Sequence, residues 1–207
     1  MKKIAISFRI VDSPNYPEIR DALSHDWADF LQKLNLIPIW IPNNIVNLDE
    51  FFKEIDIDGI ILSGGDDLGV TPIRDKTETS IIKYAINKKI PLLGICRGMQ
   101  LLNNYFGGFS TKLNSLDHIG NEHSLMIEGN FLKKLPQSIT VNSYHNNVIT
   151  INNLSNDLSI FATTKNDNTI EGLFHKQFPI VGLMWHPERE QKEFDYHILK
   201  FLFDNNE

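Results

Sequence analysis

The segment Gly94-Ile95-Cys96-Arg97-Gly98 holds the chain's one cysteine between two glycines. It joins an apolar run to a stretch with helical spacing. A strand ending in G-x-nucleophile-x-G turns so tightly that the central side chain is lifted off the sheet. The flanking glycines remove Cβ atoms that would collide in such a turn. A helix N-terminus behind the sulfur would favour the thiolate. The competing reading of Cys96 is a small buried hydrophobe in an ordinary turn.

A thiol nucleophile needs a base, and the base needs an orienting group. Of the seven histidines, His186 lies in GLMWHPER, at the end of an apolar run where Pro187 stops any ladder. Glu188, two residues on, would project on the same side of an extended segment and could fix the imidazole as in a Ser-His-Asp triad. Taken alone, His-Pro-Glu would read as a strand end with a solvated carboxylate; beside the elbow, Cys96–His186–Glu188 is the preferred reading. An oxyanion would need backbone donors. The N–H of Arg97 is the first, and SGGDD (63–67) offers Gly65, with Gly64 close behind.

Positioning these groups needs strands ending at one sheet edge. KKIAISF (2–8), LIPIWIP (36–42), DGIILSGG (58–65) and IPLLGI (90–95) read as strands. EIRDALSHDWADFLQKL (18–34), LDEFFKEI (48–55), KTETSIIKYAINKK (76–89) and residues 97 to about 106 read as helices. This alternation predicts an α/β fold, a largely parallel sheet with helices on both faces. Sites in such sheets lie at the carboxyl ends of strands, where SGGDD and ICRGM both fall. The second half is strand-rich, at 123–128, 138–142, 148–151, 158–164, 169–175 and 179–188, before an amphipathic helix at 193–203. With no repeat or linker, residues 1–207 read as a single mixed-sheet domain.

Composition narrows the function. A formal charge of -6 argues against a nucleic-acid partner, which usually meets a basic excess. One cysteine allows no internal disulfide. MKKIAISFRI reads as a first strand and not a signal peptide, and no apolar run reaches the ~18 residues of a membrane span; a cytoplasmic protein is expected. Asp66 and Asp67 read as loop-capping carboxylates. His118 and His123 share an expected loop whose surroundings lack a ligand set, so no metal and no cofactor is expected. Arg97 is expected to pair with Glu78. Arg9 either faces an anionic group or simply ends its strand in solvent.

SGGDD, GICRGMQLLN, VNSYHN and GLMWHPE occur in the order seen in class I glutamine amidotransferases, and the chain resembles their γ-glutamyl hydrolase, peptidase C26-like branch. CRG in place of Cys-Leu and RDKTE (74–78), expected before the third helix, carry the likeness to that branch. The resemblance implies a flavodoxin-like sheet, a Cys96–His186–Glu188 triad and a small γ-glutamyl substrate. It implies that Gln100 holds the glutamyl moiety and that Asn142, Ser143, Tyr144 and His145 bind its α-amino and α-carboxylate end, His145 as a binding or scaffolding residue and not a second base. Asn146-Asn147 replaces the His-Gln or Gly-Gln of many relatives. Open alternatives are a γ-glutamyl-γ-aminobutyrate or polyamine hydrolase, a glutaminase subunit with a separate synthase partner, and a non-catalytic sensor. A homodimer is compatible with the sequence.

Overall fold

The computed structural model describes residues 1–113, 118–128, 131 and 135–204. In chain order the elements are β1 (Lys2–Ser7), β2 (Arg9–Asp12), β3 (Ile19–Ala22), α1 (Asp26–Lys33), β4 (Leu36–Ile41), α2 (Leu48–Ile55), β5 (Gly59–Leu62), α3 (Pro72–Lys88), β6 (Leu92–Ile95) and α4 (Arg97–Tyr105). They continue with β7 (Thr111–Lys112), β8 (Ile119–Ile127), β9 (Ser138–Tyr144), β10 (Asn147–Val148), β11 (Leu158–Thr164), β12 (Ile170–His175), β13 (Ile180–Leu183) and α5 (Glu193–Asp204).

Nine strands form one sheet in the order β4-β1-β5-β6-β13-β12-β11-β8-β9. The first five are mutually parallel; β12, β11, β8 and β9 extend it antiparallel. The central strands are apolar on both faces, as sheets covered on both sides require. Ile4, Ile6, Ile61, Leu93 and Ile95 face Trp27, Phe30 and Leu31 of α1 and Ile198, Leu199 and Leu202 of α5. Ala5, Ile60, Leu62 and Leu92 face Phe52 of α2, Ile81, Ile82 and Ala85 of α3, and Leu101 and Leu102 of α4. The α/β class with helices on both faces is therefore as expected.

Several boundaries differ from the sequence reading. The helix expected over 18–34 begins only at Asp26. Its first part is β3, paired with β2 in a hairpin that sets Arg9 opposite Ala22. Ile19 points outward, 73% exposed, and Asp21 is drawn away to accept hydrogen bonds from the Asn43 backbone N–H and side-chain amide (3.0 and 2.6 Å). Helix α3 starts four residues early because Pro72 supplies a pre-set first turn. The expected strand at 148–151 shrinks to Asn147–Val148 and then coils into a short 3-10 turn closed by Thr150 and Asn153. The 179–188 strand ends at Leu183, so the His-Pro-Glu segment lies on a turn.

The elbow depends on glycine at both ends. A Cβ on Gly98 would collide with the Leu62 carbonyl oxygen, and one on Gly94 would lie 2.7 Å from the Gly98 carbonyl. Both clashes are with backbone, which cannot rotate away. Gly98→Ala is expected to lower the urea-unfolding free energy by roughly 1–3 kcal/mol, the usual cost of overpacking. An unchanged denaturation midpoint would show that the elbow tolerates the side chain.

Candidate active site

The elbow is built as its sequence requires. Cys96 caps α4 with φ of +50° and ψ of -102°, a strained setting for a residue with a Cβ. Its N–H is held by the Leu183 carbonyl at 2.7 Å, and its carbonyl receives the Gln100 N–H at 3.1 Å. The sulfur therefore sits between the ends of β6 and β13, over the first turn of α4.

His186 meets it from the turn after β13. Its Nδ1 lies 2.7 Å from Glu188 Oε1, and the ring lines the same cavity as the Cys96 thiol. Glu188 reaches the ring from a turn closed by Arg189 N–H to the His186 carbonyl (3.2 Å), not from the extended segment expected. Asn142 holds the His186 backbone. Its Nδ2 donates to the His186 carbonyl and its Oδ1 accepts the His186 N–H, both at 2.9 Å.

Burial alone would raise the Cys96 thiol. The hydrogen bond and charge of His186, then the charge of His145 and the Arg97 N–H, reverse this and hold it below its ordinary value. Burial alone would lower His186; hydrogen bonds to Cys96 and Glu188, with the charges of both, raise it above the usual imidazole range. The pair is thus biased toward thiolate and imidazolium.

Arg97 donates its backbone N–H toward the sulfur while its guanidinium is buried in ion pairs with Glu78 and Asp75. The expected Arg97–Glu78 pair is present. Arg74 joins it, through Nε to Glu78 at 3.0 Å and Nη2 to the Ser63 and Gly64 carbonyls at 2.7 and 3.0 Å. Ser7 Oγ donates to the same Glu78 oxygen at 2.7 Å. The whole RDKTE segment lies within α3, so Arg74 is in the helix that the sequence reading begins only at Lys76. Gly64 packs on the base, where an added Cβ would lie 2.8 Å from His186 Cε1; Gly65 follows with φ of +143° over the Arg74 guanidinium.

A cavity of about 280 Å³ opens onto the sulfur, lined by Cys96, His186, Glu188, Ser63, Gly64, Gly65, Asp66 and Tyr144, with Leu23, Ser24 and Trp27 on one wall and Arg9 and Arg189 at its rim. Of the residues expected to hold the glutamyl group, Tyr144 lines this cavity, its ring edge-on to His186 at 5.8 Å. Arg189, which sequence reading passed over, lies 4.2 Å above the Tyr144 ring. The other four are buried and engaged with the protein. Gln100 Nε2 faces Met184 Sδ at 3.7 Å. Asn142 is spent on His186, and Ser143 Oγ donates to the His118 carbonyl at 2.7 Å. Asn147 Nδ2 donates to Asp67 Oδ1 at 2.6 Å, joining β10 to the loop after β5.

His145 turns away from the cavity. Its ring meets His118, His123 and Glu171, and one ligating atom from each of the four lies within 4.8 Å of the others. The expectation that His118 and His123 share a loop without a ligand set is overturned. His123 stands on β8, His118 just before it, and the missing partners come from the end of β9 and from β12, 22 and 48 residues beyond His123. Burial would raise Glu171, but the charge of His145 and the facing His123 and His145 rings hold it down at about 2.

The family described as Glutamine amidotransferase class-I matches residues 15–205. The chain is 34% identical to the γ-glutamyl-CDP-amidate hydrolase of Campylobacter jejuni, over 97% of this chain and 96% of that protein. It is 32% identical to anthranilate synthase component 2 of Cyanophora paradoxa, over 87% and 92% of the two chains. The crystal structure of a candidate GMP synthase subunit from Thermoplasma acidophilum superposes with a TM-score of 0.72 at 25% identity, covering 99% of this chain and 93% of that one.

The coupled Cys96–His186 charges generate a pH prediction. Iodoacetamide modification of Cys96 should rise with pH through a midpoint below the ~8.5 of an ordinary thiol. Glu188→Gln removes charge that stabilises the imidazolium, so the thiolate loses its partner and the midpoint should move up. Identical midpoints in the two proteins, followed by mass spectrometry of the Cys96 peptide, would refute the coupling.

Proposed function

The chain belongs to the class-I glutamine amidotransferase family, and from that premise we propose that it hydrolyses a γ-glutamyl amide through Cys96, most specifically γ-glutamyl-CDP-amidate, to glutamate and cytidine diphosphoramidate. The observation that carries this reading is the likeness, over nearly the full length of both chains, to a relative bearing that activity in its name. The two rim arginines, Arg9 and Arg189, support it, because a diphosphate leaving group needs cationic donors. The reading takes residues 1–207 as one domain acting in the cytoplasm, at a step of capsular phosphoramidate synthesis.

In the proposed mechanism His186 takes the thiol proton and Cys96 attacks the γ-carbonyl carbon. The N–H groups of Arg97 and Gly65 receive the oxyanion, each such donor contributing on the order of 10²–10³ in rate. The tetrahedral intermediate collapses as His186 returns the proton to the departing nitrogen. The γ-glutamyl thioester is then attacked by water, whose proton passes to His186, releasing glutamate and restoring the thiol. Glu188 holds the imidazole and stabilises its cationic form throughout.

A second reading, a glutaminase subunit feeding ammonia to a synthase, is favoured by the likeness to anthranilate synthase component 2. The two separate by kcat/KM for γ-glutamyl-CDP-amidate, γ-glutamyl-γ-aminobutyrate and glutamine. The CDP-amidate should lead, Cys96→Ala should lose all turnover, and Arg9→Ala with Arg189→Ala should raise its KM by about tenfold, a lost charge-assisted contact. Preference for glutamine, or activity appearing only with a synthase, would overturn the first reading.

A further inference from the structure

We propose that His118, His123, His145 and Glu171 form a closed site for a divalent transition metal of the zinc class, lying behind the active-site wall that carries Tyr144. The four converge from the turn before β8, from β8, from the end of β9 and from β12, with their ligating atoms mutually within 4.8 Å. His118, His145 and Glu171 are 3%, 4% and 0% exposed, out of reach of bulk solvent.

The inward-facing atoms lack hydrogen bonds among the described residues. These are His118 Nδ1, His123 Nε2, His145 Nε2 and both oxygens of Glu171. Buried polar atoms are nearly always satisfied, and each exception asks for an explanation. An unsatisfied cluster of five, facing one another, is a stronger anomaly than any one of them.

The outward-facing nitrogens show why protein groups do not resolve it. His118 Nε2 lies 2.8 Å from Asp167 Oδ2, a carboxylate that can only accept while ionised, so that nitrogen carries the hydrogen. His145 Nδ1 lies 3.1 Å from the Asn147 carbonyl oxygen and carries its hydrogen for the same reason. When neutral, His118 and His145 in these tautomers aim lone pairs at Glu171. His145 Nε2 is 3.3 Å and His118 Nδ1 is 3.9 Å from Glu171 Oε1, and His123 Nε2 is 3.4 Å from Oε2. Acceptors facing acceptors at that range need a positive charge between them, either a ring proton or a metal ion. Protonated rings would relieve the repulsion, but none of these approaches has hydrogen-bond geometry.

A metal ion fits the same facts. Bonds of about 2.0–2.1 Å in a tetrahedron put ligand atoms roughly 3.3–3.4 Å apart, the spacing of the two shorter approaches. Three imidazoles and one carboxylate suit zinc. The Asp167–His118 contact has the form of a carboxylate orienting a ligand histidine, and Asp167 is itself held by the Thr169 N–H and hydroxyl at 3.1 and 2.9 Å. Four protein ligands leave no open position, so the site's role is to fix structure and not to activate water.

The full chain, purified without a histidine tag, should retain about one zinc per molecule by plasma mass spectrometry, the occupancy of a single structural site. His123→Ala should lose it and Cys96→Ser should keep it. Cobalt loading of the wild-type protein needs no variant to fold, and should give the visible bands of a tetrahedral nitrogen–oxygen site. A wild-type chain that takes up neither metal holds a protonated histidine cluster only, and the proposal fails. It fails equally if uptake vanishes with Cys96→Ser but survives His123→Ala, or if the cobalt spectrum is six-coordinate.

Discussion

The arrangement rests on a buried charge cluster under the elbow. Arg74 and Arg97 share Glu78, and Arg97 also reaches Asp75. Two guanidinium charges thus meet two carboxylates. Removing one partner of such a buried set typically costs about 3–5 kcal/mol, because the other charge stays uncompensated. The cluster reaches outward as well as inward. Arg74 holds the Ser63 and Gly64 carbonyls, Ser7 bonds Glu78, and Ser63 Oγ donates to the Ser7 carbonyl at 2.7 Å. The ends of β1 and β5 are therefore fixed to α3, and through Arg97 to the first turn of α4. The glycine turn and the thiol are held in register by one set of charges.

This explains a division of labour within Arg97. Its side chain is consumed below the sheet edge, while its backbone N–H faces the sulfur. A residue here with no charge would leave Glu78 and Arg74 to close the cluster alone. His186 is fixed by different means. Asn142 makes a paired amide contact with the His186 backbone, and Trp185 Nε1 donates to Asp195 Oδ1 at 2.8 Å, tying the same turn to α5. The turn that carries the thiol is anchored by the ion pairs of Arg97, while the His186 backbone is held by an amide and its ring by the Glu188 carboxylate.

Local chemistry made Cys96, His186 and Glu188 visible in the sequence, since glycine spacing and the His-Pro-Glu run each carry a geometric meaning. Apolar periodicity likewise placed most helices and strands. It failed where polar residues are buried. Residues 72–75 carry no apolar periodicity because Arg74 is buried through charge, so the linear reading starts α3 four residues late, at Lys76. It also failed where exposed apolar residues mimic a helix face, as Ile19 does in the β2–β3 hairpin. Asn142 was legible as important, but its partner is 44 residues away; sequence order cannot show that its amide is already occupied. The histidine cluster was illegible for the same reason, its members being joined only by the pairing of β8 with β9 and the return of β12.

Tyr144 and His145 connect these two polar regions. Adjacent residues leaving a strand face opposite ways, and here one ring meets His186 while the other enters the Glu171 cluster. Whatever fixes His145 therefore limits the freedom of Tyr144, and with it the wall against which Arg189 lies. Tyr144 is 42% exposed, and on the cavity side its ring meets the edge of the His186 imidazole and the Arg189 guanidinium. The buried side of the same turn holds it as well. The antiparallel half of the sheet, β12, β11, β8 and β9, thereby shapes the cavity onto which the ends of β6 and β13 in the parallel half open.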